Sequence, residues 1–205
     1  MRREQPLAFT YPESAHDRIH GPSGYSDAGS YRSWLRDEFK FRCVYCLARE
    51  RWGKVTGEFD LEHFLPVSID GRVRLEYDQI VYACHACNLR KGSRPLADPS
   101  RELSQESVHV HTDGRISGLT AEASRIIAVL CFNSPKCVRW RLTWMRIIEL
   151  CRKQDAELFG GLMGYPDDLP DLAALKAPSN QRPEGVQQSA FERRRRAELP
   201  ATYVC

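Results

Sequence analysis

Two cysteine pairs constrain this chain more than any other feature: Cys43-Val-Tyr-Cys46 and Cys84-His-Ala-Cys87. Each Cys-x-x-Cys places two thiolates on one tight turn, and two such turns supply the four sulfurs of a closed tetrahedral zinc site. The 37 residues between the pairs then form a loop fixed at both ends. Buried apolar packing is the alternative use for four cysteines. A thioredoxin-like redox pair is a third, disfavoured because two pairs are present and no βαβ pattern surrounds either. The N-terminus, Met-Arg-Arg-Glu-Gln-Pro, lacks the apolar stretch of a secretion signal, and no run is long enough to span a bilayer. A cytoplasmic protein without a membrane partner is therefore expected, with cysteines used as ligands rather than in disulfides.

A length of 205 residues, with 42% hydrophobic and 28% charged side chains, suits one globular domain with an appended tail. The formal net charge of +3 is weak support for a nucleic-acid partner, but the charge is clustered. Arg193 to Arg196 are consecutive, and residues 135–153 carry six basic side chains against one acidic. Arg139, Arg146 and Lys153 recur every seven residues along one side of a helix, either as a solvated face or as a track for a phosphate backbone. The arginine run reads as a binding patch or as a solvated helix end.

Residues 1–29 mix Pro, Gly, Ser, Asp and His without periodicity and are expected as an irregular N-terminal arm. Ser30 caps a helix over 31–41 that delivers the chain to the first cysteine pair. Phe59 to Glu62 alternates as a strand, with Val73 to Leu75 as its expected partner across Asp70-Gly71. Ile80 to Ala83 is a short apolar run, and Asn88 to Lys91 starts a helix that Gly92 ends. A second hairpin spans 108–116 around Asp113-Gly114. Thr120 caps a helix to about Phe132, and Pro135 opens another to about Phe159. Trp140, Trp144, Ile147, Ile148 and Cys151 face inward on that last helix, and Cys131 and Cys137 are also expected in the core. The predicted class is α+β: a metal-bound ββα core over 30–100, a hairpin and helices over 101–175 in the same domain, and a linker with a basic tail over 176–205.

Phosphodiester hydrolysis needs a base for the attacking water and a cation for the phosphate and the departing oxygen. The chain offers His63 as the base, Glu62 beside it, and Asn88 directly after the last cysteine of the pairs. Zinc binding at Cys87 would fix where the Asn88 amide points. Asp60 is a runner-up ligand, because it shares a strand face with Glu62, but the plainer expectation is that it faces solvent or a lysine. Arg90 and Lys91 either grip a phosphate or are solvated, and His85 is expected to be exposed. A satisfied loop histidine is the plain alternative for His63. His16 and His20 have helical ligand spacing, but Gly21-Pro22 breaks any helix there.

Cys-x-x-Cys, then Glu-His-x-x-Pro, then Tyr-x-x-Ile-x-x-x-Cys-x-x-Cys-Asn-x-x-Lys resembles the zinc-containing branch of the HNH (ββα-metal) nucleases over residues 43–92. The resemblance implies that Cys43, Cys46, Cys84 and Cys87 hold structural Zn2+, that His63 is the general base, and that Glu62 and Asn88 ligate a catalytic Mg2+ or Mn2+. Gln79 takes the place of the family's middle asparagine, which braces the histidine, so a backbone carbonyl could stand in for that brace. Glu62 stands where Asp is usual. Residues 112–139 loosely resemble the segment after the motif in bacterial defence-associated members. The expected function is a metal-dependent endonuclease on DNA, with RNA still open. It would be the nuclease component of a bacterial antiviral defence or mobile-element system, directed by a partner protein such as an ATPase. The competing expectations are a zinc-stabilised nucleic-acid-binding module without catalysis, and a toxin-like effector.

Overall fold

The strand β1, Phe59–His63, pairs antiparallel with β2, Ile80–Cys84, in the register Phe59↔Cys84 and His63↔Ile80. Across the pair the Phe59 and Tyr82 rings stack at 4.9 Å, as aromatic cross-strand neighbours on one sheet face do. Ile80, Val81, Tyr82 and Ala83 are all buried, so β2 is covered on both faces. The expected partner of β1, Val73 to Leu75, is not a strand. Residues Gly71–Leu75 form a 3-10 turn because the Asp70 carboxylate accepts from the Arg72 amide and pairs with its guanidinium at 2.7 Å. The apolar β2 segment offers β1 a better-buried partner.

The computed structural model describes residues 6–53, 59–175, 178 and 184–203, and the architecture is α+β. Helix α1, Arg32–Glu38, packs on β2. Helix α2, His85–Lys91, starts directly at the end of β2 and stops at Gly92, whose φ of +55° is left-handed backbone that suits glycine. After the short helix α3, Pro99–Glu102, the second hairpin forms as predicted, with β3, Val108–Val110, against β4, Ile116–Gly118. Gly114 turns it at φ +80°, packed so closely on Val138 and Leu142 that a Cβ would clash.

Helix α4, Ala121–Val129, is capped by the Thr120 hydroxyl, which accepts from the Ala123 amide. Helix α5, Pro135–Gln154, begins at the predicted proline but ends five residues before Phe159. Asp155 interrupts it, and its carboxylate caps a separate helix α6, Ala156–Met163. Ile148 and Cys151 on α5 are buried as expected, whereas Trp140, Trp144 and Ile147 are half-buried. Cys137 is in the core. Cys131 is exposed, because the chain turns through φ +51° there and points the thiol away.

The N-terminal arm is irregular yet firmly packed. Phe9 meets the edges of Trp52 and Trp140 at 5.5 and 5.3 Å, and the buried Tyr11 hydroxyl donates to the Tyr45 carbonyl at 2.6 Å. One buried cluster runs from Ala8 to Leu172, so the 30–100 and 101–175 segments share a core. Much of the expected linker lies outside the described residues, as does Cys205. Its described end, a 3-10 turn at Val186–Gln188, leads into helix α7, Ala190–Arg195, whose first amide donates to Asp37 at 2.8 Å. The arginine run on and after α7 is largely used internally. Arg194 donates to the Pro166 and Asp167 carbonyls, Arg195 pairs with Glu192, and Arg196 bonds Glu198 and Gln187. On α5, Arg139, Arg146 and Lys153 are all exposed, with Lys153 paired to Glu149. Among the described residues no helix is long and apolar enough to cross a membrane.

Candidate functional site

The first cysteine pair sits on a knuckle shaped by two main-chain bonds, Leu47 amide to Cys43 carbonyl and Cys43 amide to Ala48 carbonyl, with Leu47 in a left-handed turn at φ 60°. The Val44 amide donates to the Tyr82 carbonyl at 2.9 Å, which ties this knuckle to β2. Cys84 ends β2 and Cys87 lies in the first turn of α2. All four sulfur atoms lie within 4.8 Å of one another, and Cys46 Sγ is 3.6 Å from Cys84 Sγ. A tetrahedron with Zn–S bonds of about 2.3 Å has edges of about 3.8 Å, so the sulfurs are already near that spacing. Hydrogen bonding from Cys43, then from Cys46 and Cys87, draws the Cys84 thiol far below its usual pKa, while Cys43 is the main cause holding Cys46 and Cys87 up. Four sulfurs packed this closely cannot all become thiolates unaided, and a thiophilic dication resolves the conflict. The cluster can hold a metal such as zinc.

On the α2-facing side of β1, alternation sets Asp60 and Glu62 next to each other. Glu62 is buried, and both its oxygens are engaged. Oε2 accepts from the Tyr45 hydroxyl at 2.6 Å and Oε1 lies 2.5 Å from Lys91 Nζ. Burial, and then the Glu62 carboxylate, push the Tyr45 phenol far above its usual pKa, so it remains a donor. Lys91, expected at the rim to grip a phosphate, is 1% exposed and also donates to the His63 carbonyl at 2.8 Å. The expected pairing of Glu62 with Asn88 is therefore not what forms.

Asn88 instead donates from Nδ2 to Asp60 Oδ2 at 2.8 Å, and His85 Nδ1 lies 2.9 Å from the same oxygen. His85 and Asn88 sit at i and i+3 on α2, on one face above Asp60. The amide oxygen of Asn88 and the second carboxylate oxygen of Asp60 take no part in these two contacts, and both are hard donors by type. Glu62, by contrast, is held by a buried ammonium and a phenol.

His63 closes β1 and is half-buried. Its Nε2 lies 3.1 Å from the Arg74 carbonyl oxygen. A carbonyl only accepts, so Nε2 carries the proton and the lone pair of the neutral ring is on Nδ1. The backbone brace anticipated for this histidine is thus the Arg74 carbonyl. Gln79 lies in a 3-10 turn at Tyr77–Gln79 just ahead of β2, and no described side-chain hydrogen bond links it to His63. That turn is held by Arg18, which donates to the Ile80 carbonyl at 2.8 Å and covers the rings of Phe39 and Tyr77. Arg90 is half-buried, facing the groove between α2 and α5.

Three contributors were not singled out from the sequence. Tyr45 lies inside the first knuckle, where a tyrosine between two ligands was itself the available signal. Arg18 gave no signal, being one cation in an aperiodic arm. Arg141, fully buried on α5, donates to the Gly114 and Phe132 carbonyls and welds the second hairpin to the helices. His16 and His20 bind carboxylates, Glu38 at 2.6 Å and Asp37 at 2.9 Å, rather than a metal. No protein-family model matches the chain, and no curated protein matches it.

Proposed function

We propose that the protein is a metal-dependent endonuclease of the HNH (ββα-metal) kind that hydrolyses phosphodiester bonds in DNA. What supports this reading is a strand–strand–helix unit closed by four sulfurs, ending in an imidazole whose Nε2 is held by a main-chain carbonyl. Zinc on Cys43, Cys46, Cys84 and Cys87 would act as scaffold, locking the knuckle to the start of α2. Asn88 and Asp60 would hold a divalent ion, with Asp60 in the part the resemblance gives to Glu62. Such an ion, when bound, supplies positive charge for a phosphate oxygen and for the departing 3′ oxygen.

The chain's own residues do the rest. His63 Nδ1 accepts the proton of the attacking water, while the Arg74 carbonyl keeps the ring in that tautomer and orientation. Lys91 neutralises Glu62 and, through the His63 carbonyl, fixes the end of β1 against α2. On the same resemblance we propose a bacterial defence or mobile-element setting, with a partner protein such as an ATPase.

Plasmid nicking in Mg2+ or Mn2+ tests the reading. His63→Ala should lower the rate by about 10²- to 10⁴-fold, and Asp60→Ala should do likewise, with zinc content and circular dichroism unchanged. Equal nicking by wild type and His63→Ala would show that His63 is not the base. A second reading, a zinc-stabilised nucleic-acid-binding module, draws support from the Lys91–Glu62 pair, which neutralises the acid next to His63. It expects binding without metal-dependent cleavage.

A further inference from the structure

Between the zinc knuckle and α5 lies a cleft of about 480 Å³, within the range of small-molecule sites. Its walls include Trp52, Trp140, Trp144 and Phe59. Trp52 and Trp144 are stacked at 4.4 Å with their planes 9° apart, and the Trp52 Nε1 is fixed by the Leu162 carbonyl at 3.0 Å. The cleft thus offers a rigid aromatic wall rather than a collapsible apolar surface.

Apart from the sulfurs of Cys46, Cys84 and Cys87, the charged groups on its wall are basic. Arg90 and Lys136 line it beside the His85 ring, and among the described residues no aspartate or glutamate does. Arg49 and Arg141, deeper in, are spent on carbonyls of Met163, Tyr203, Gly114 and Phe132. Arg90 and Lys136 form no ion pair among the described residues, so their charges are left for whatever enters. His85 also connects the cleft to the oxygen pair, since its ring bonds Asp60, which in turn bonds Asn88.

We infer that this cleft binds an unpaired nucleobase, stacked on the tryptophan wall with its phosphates on Arg90 and Lys136. The inference deepens the nuclease reading and rests on it for the direction of the strand: the next phosphate would lie towards Asp60 and Asn88. A duplex keeps its bases stacked inside and cannot present one here, so the substrate is single-stranded or locally opened nucleic acid. Base–aromatic stacking tolerates any base, which suits a chain with no evident sequence-reading element.

The test is tryptophan fluorescence of the zinc-loaded full chain, in buffer without added magnesium, titrated with (dT)10, (rU)10, a ten-base-pair duplex and heparin. Saturable quenching by a single strand, far stronger than by duplex or heparin, is expected, and the DNA and RNA arms show which sugar is preferred. Trp144→Leu should weaken single-strand binding by about 5- to 150-fold, the range carried by one base stack. Lys136→Glu, an exposed change that leaves the core intact, should weaken binding and lower the salt slope by about one. It keeps the test open if Trp144→Leu does not fold. Equal quenching by heparin and (dT)10, or single-strand affinity unchanged in the two variants, overturns the inference and leaves the basic residues as partners of the thiolate cluster. Nicking of duplex without single-strand quenching sinks this inference alone. Quenching without nicking sinks the nuclease reading alone.

Discussion

Replacing Lys91 with methionine isolates the pair on which the α2-facing side of β1 depends. Its ammonium and the Glu62 carboxylate are 2.5 Å apart, and their side chains are 1% and 3% exposed. Methionine fills nearly the same volume, so the cavity term is small and the change is chiefly one of charge. Glu62 would keep the Tyr45 hydroxyl but lose its cation, and the His63 carbonyl would lose its donor. Leaving one partner of a buried pair uncompensated costs about 3–5 kcal/mol. With a urea m-value of about 2–3 kcal/mol/M, the unfolding midpoint should fall by about 1–2.5 M in the presence of excess zinc. The double variant Lys91→Met, Glu62→Leu removes both charges and should recover most of the loss, because apolar replacement of a whole buried pair is often neutral or better. The two single variants and the double form a cycle whose coupling should be large. A Lys91→Met cost under about 1 kcal/mol would refute the account, since Glu62 could then not be a buried anion that relies on Lys91.

Removing zinc with a strong chelator should unfold the β1–β2–α2 unit, read as loss of ellipticity together with release of one zinc per chain, because structural zinc contributes on the order of 10–16 kcal/mol in small fingers. A chelated protein with unchanged ellipticity would contradict the scaffold role. The carboxylates of α1 make stability depend on pH in both directions. Burial pushes the Glu38 carboxyl up, but His16 and the Ile19 amide more than offset it and hold the pKa below its usual 4.5, so this stability is present above about 4.5 and is lost as pH falls through the folded value. Burial pushes the His20 ring down, yet the Asp37 hydrogen bond and nearby charges raise it above 6.5, so this stability is full below about 6.5 and is lost as pH rises through the folded value. Urea midpoints measured from pH 3 to 9 should therefore peak between about 4.5 and 6.5, and His20→Gln should flatten the alkaline side; an unchanged slope there would exclude His20. Thr120→Ala should cost about 1 kcal/mol, the usual loss for an N-cap, with no effect on zinc content.

What the sequence made legible is what short-range chemistry decides. The cysteine spacing, the alternation over 59–62, the Asp113-Gly114 turn, the Thr120 cap and the Pro135 start each act within a few residues, and each is found. The partner of β1 was not legible. Asp70 makes a cap as readily as a hairpin turn, and only burial of residues 80–83 decides between them. The end of α5 was missed for a related reason: Lys-Gln-Asp carries no proline or glycine, yet Asp155 finds the Leu158 amide and restarts the helix. In the site, strand alternation put Asp60 and Glu62 on one face but could not say which would meet Asn88. That choice belongs to the docking of α2, which delivers Lys91 to Glu62 and Asn88 to Asp60. The arm over 1–29 reads only as irregular because its anchors, Phe9, Tyr11, His16 and His20, follow no period, each filling a separate slot.

The Arg74 carbonyl that orients His63 belongs to the peptide chain itself, and no exchange of side chains can delete it. An alanine scan of residues 64–79 would pass over it without a signal. The letters of that segment are free to drift so long as its turns survive, whereas shortening the segment or placing a proline that redirects residue 74 would release the ring. Length and curvature, rather than identity, are what selection can grip there.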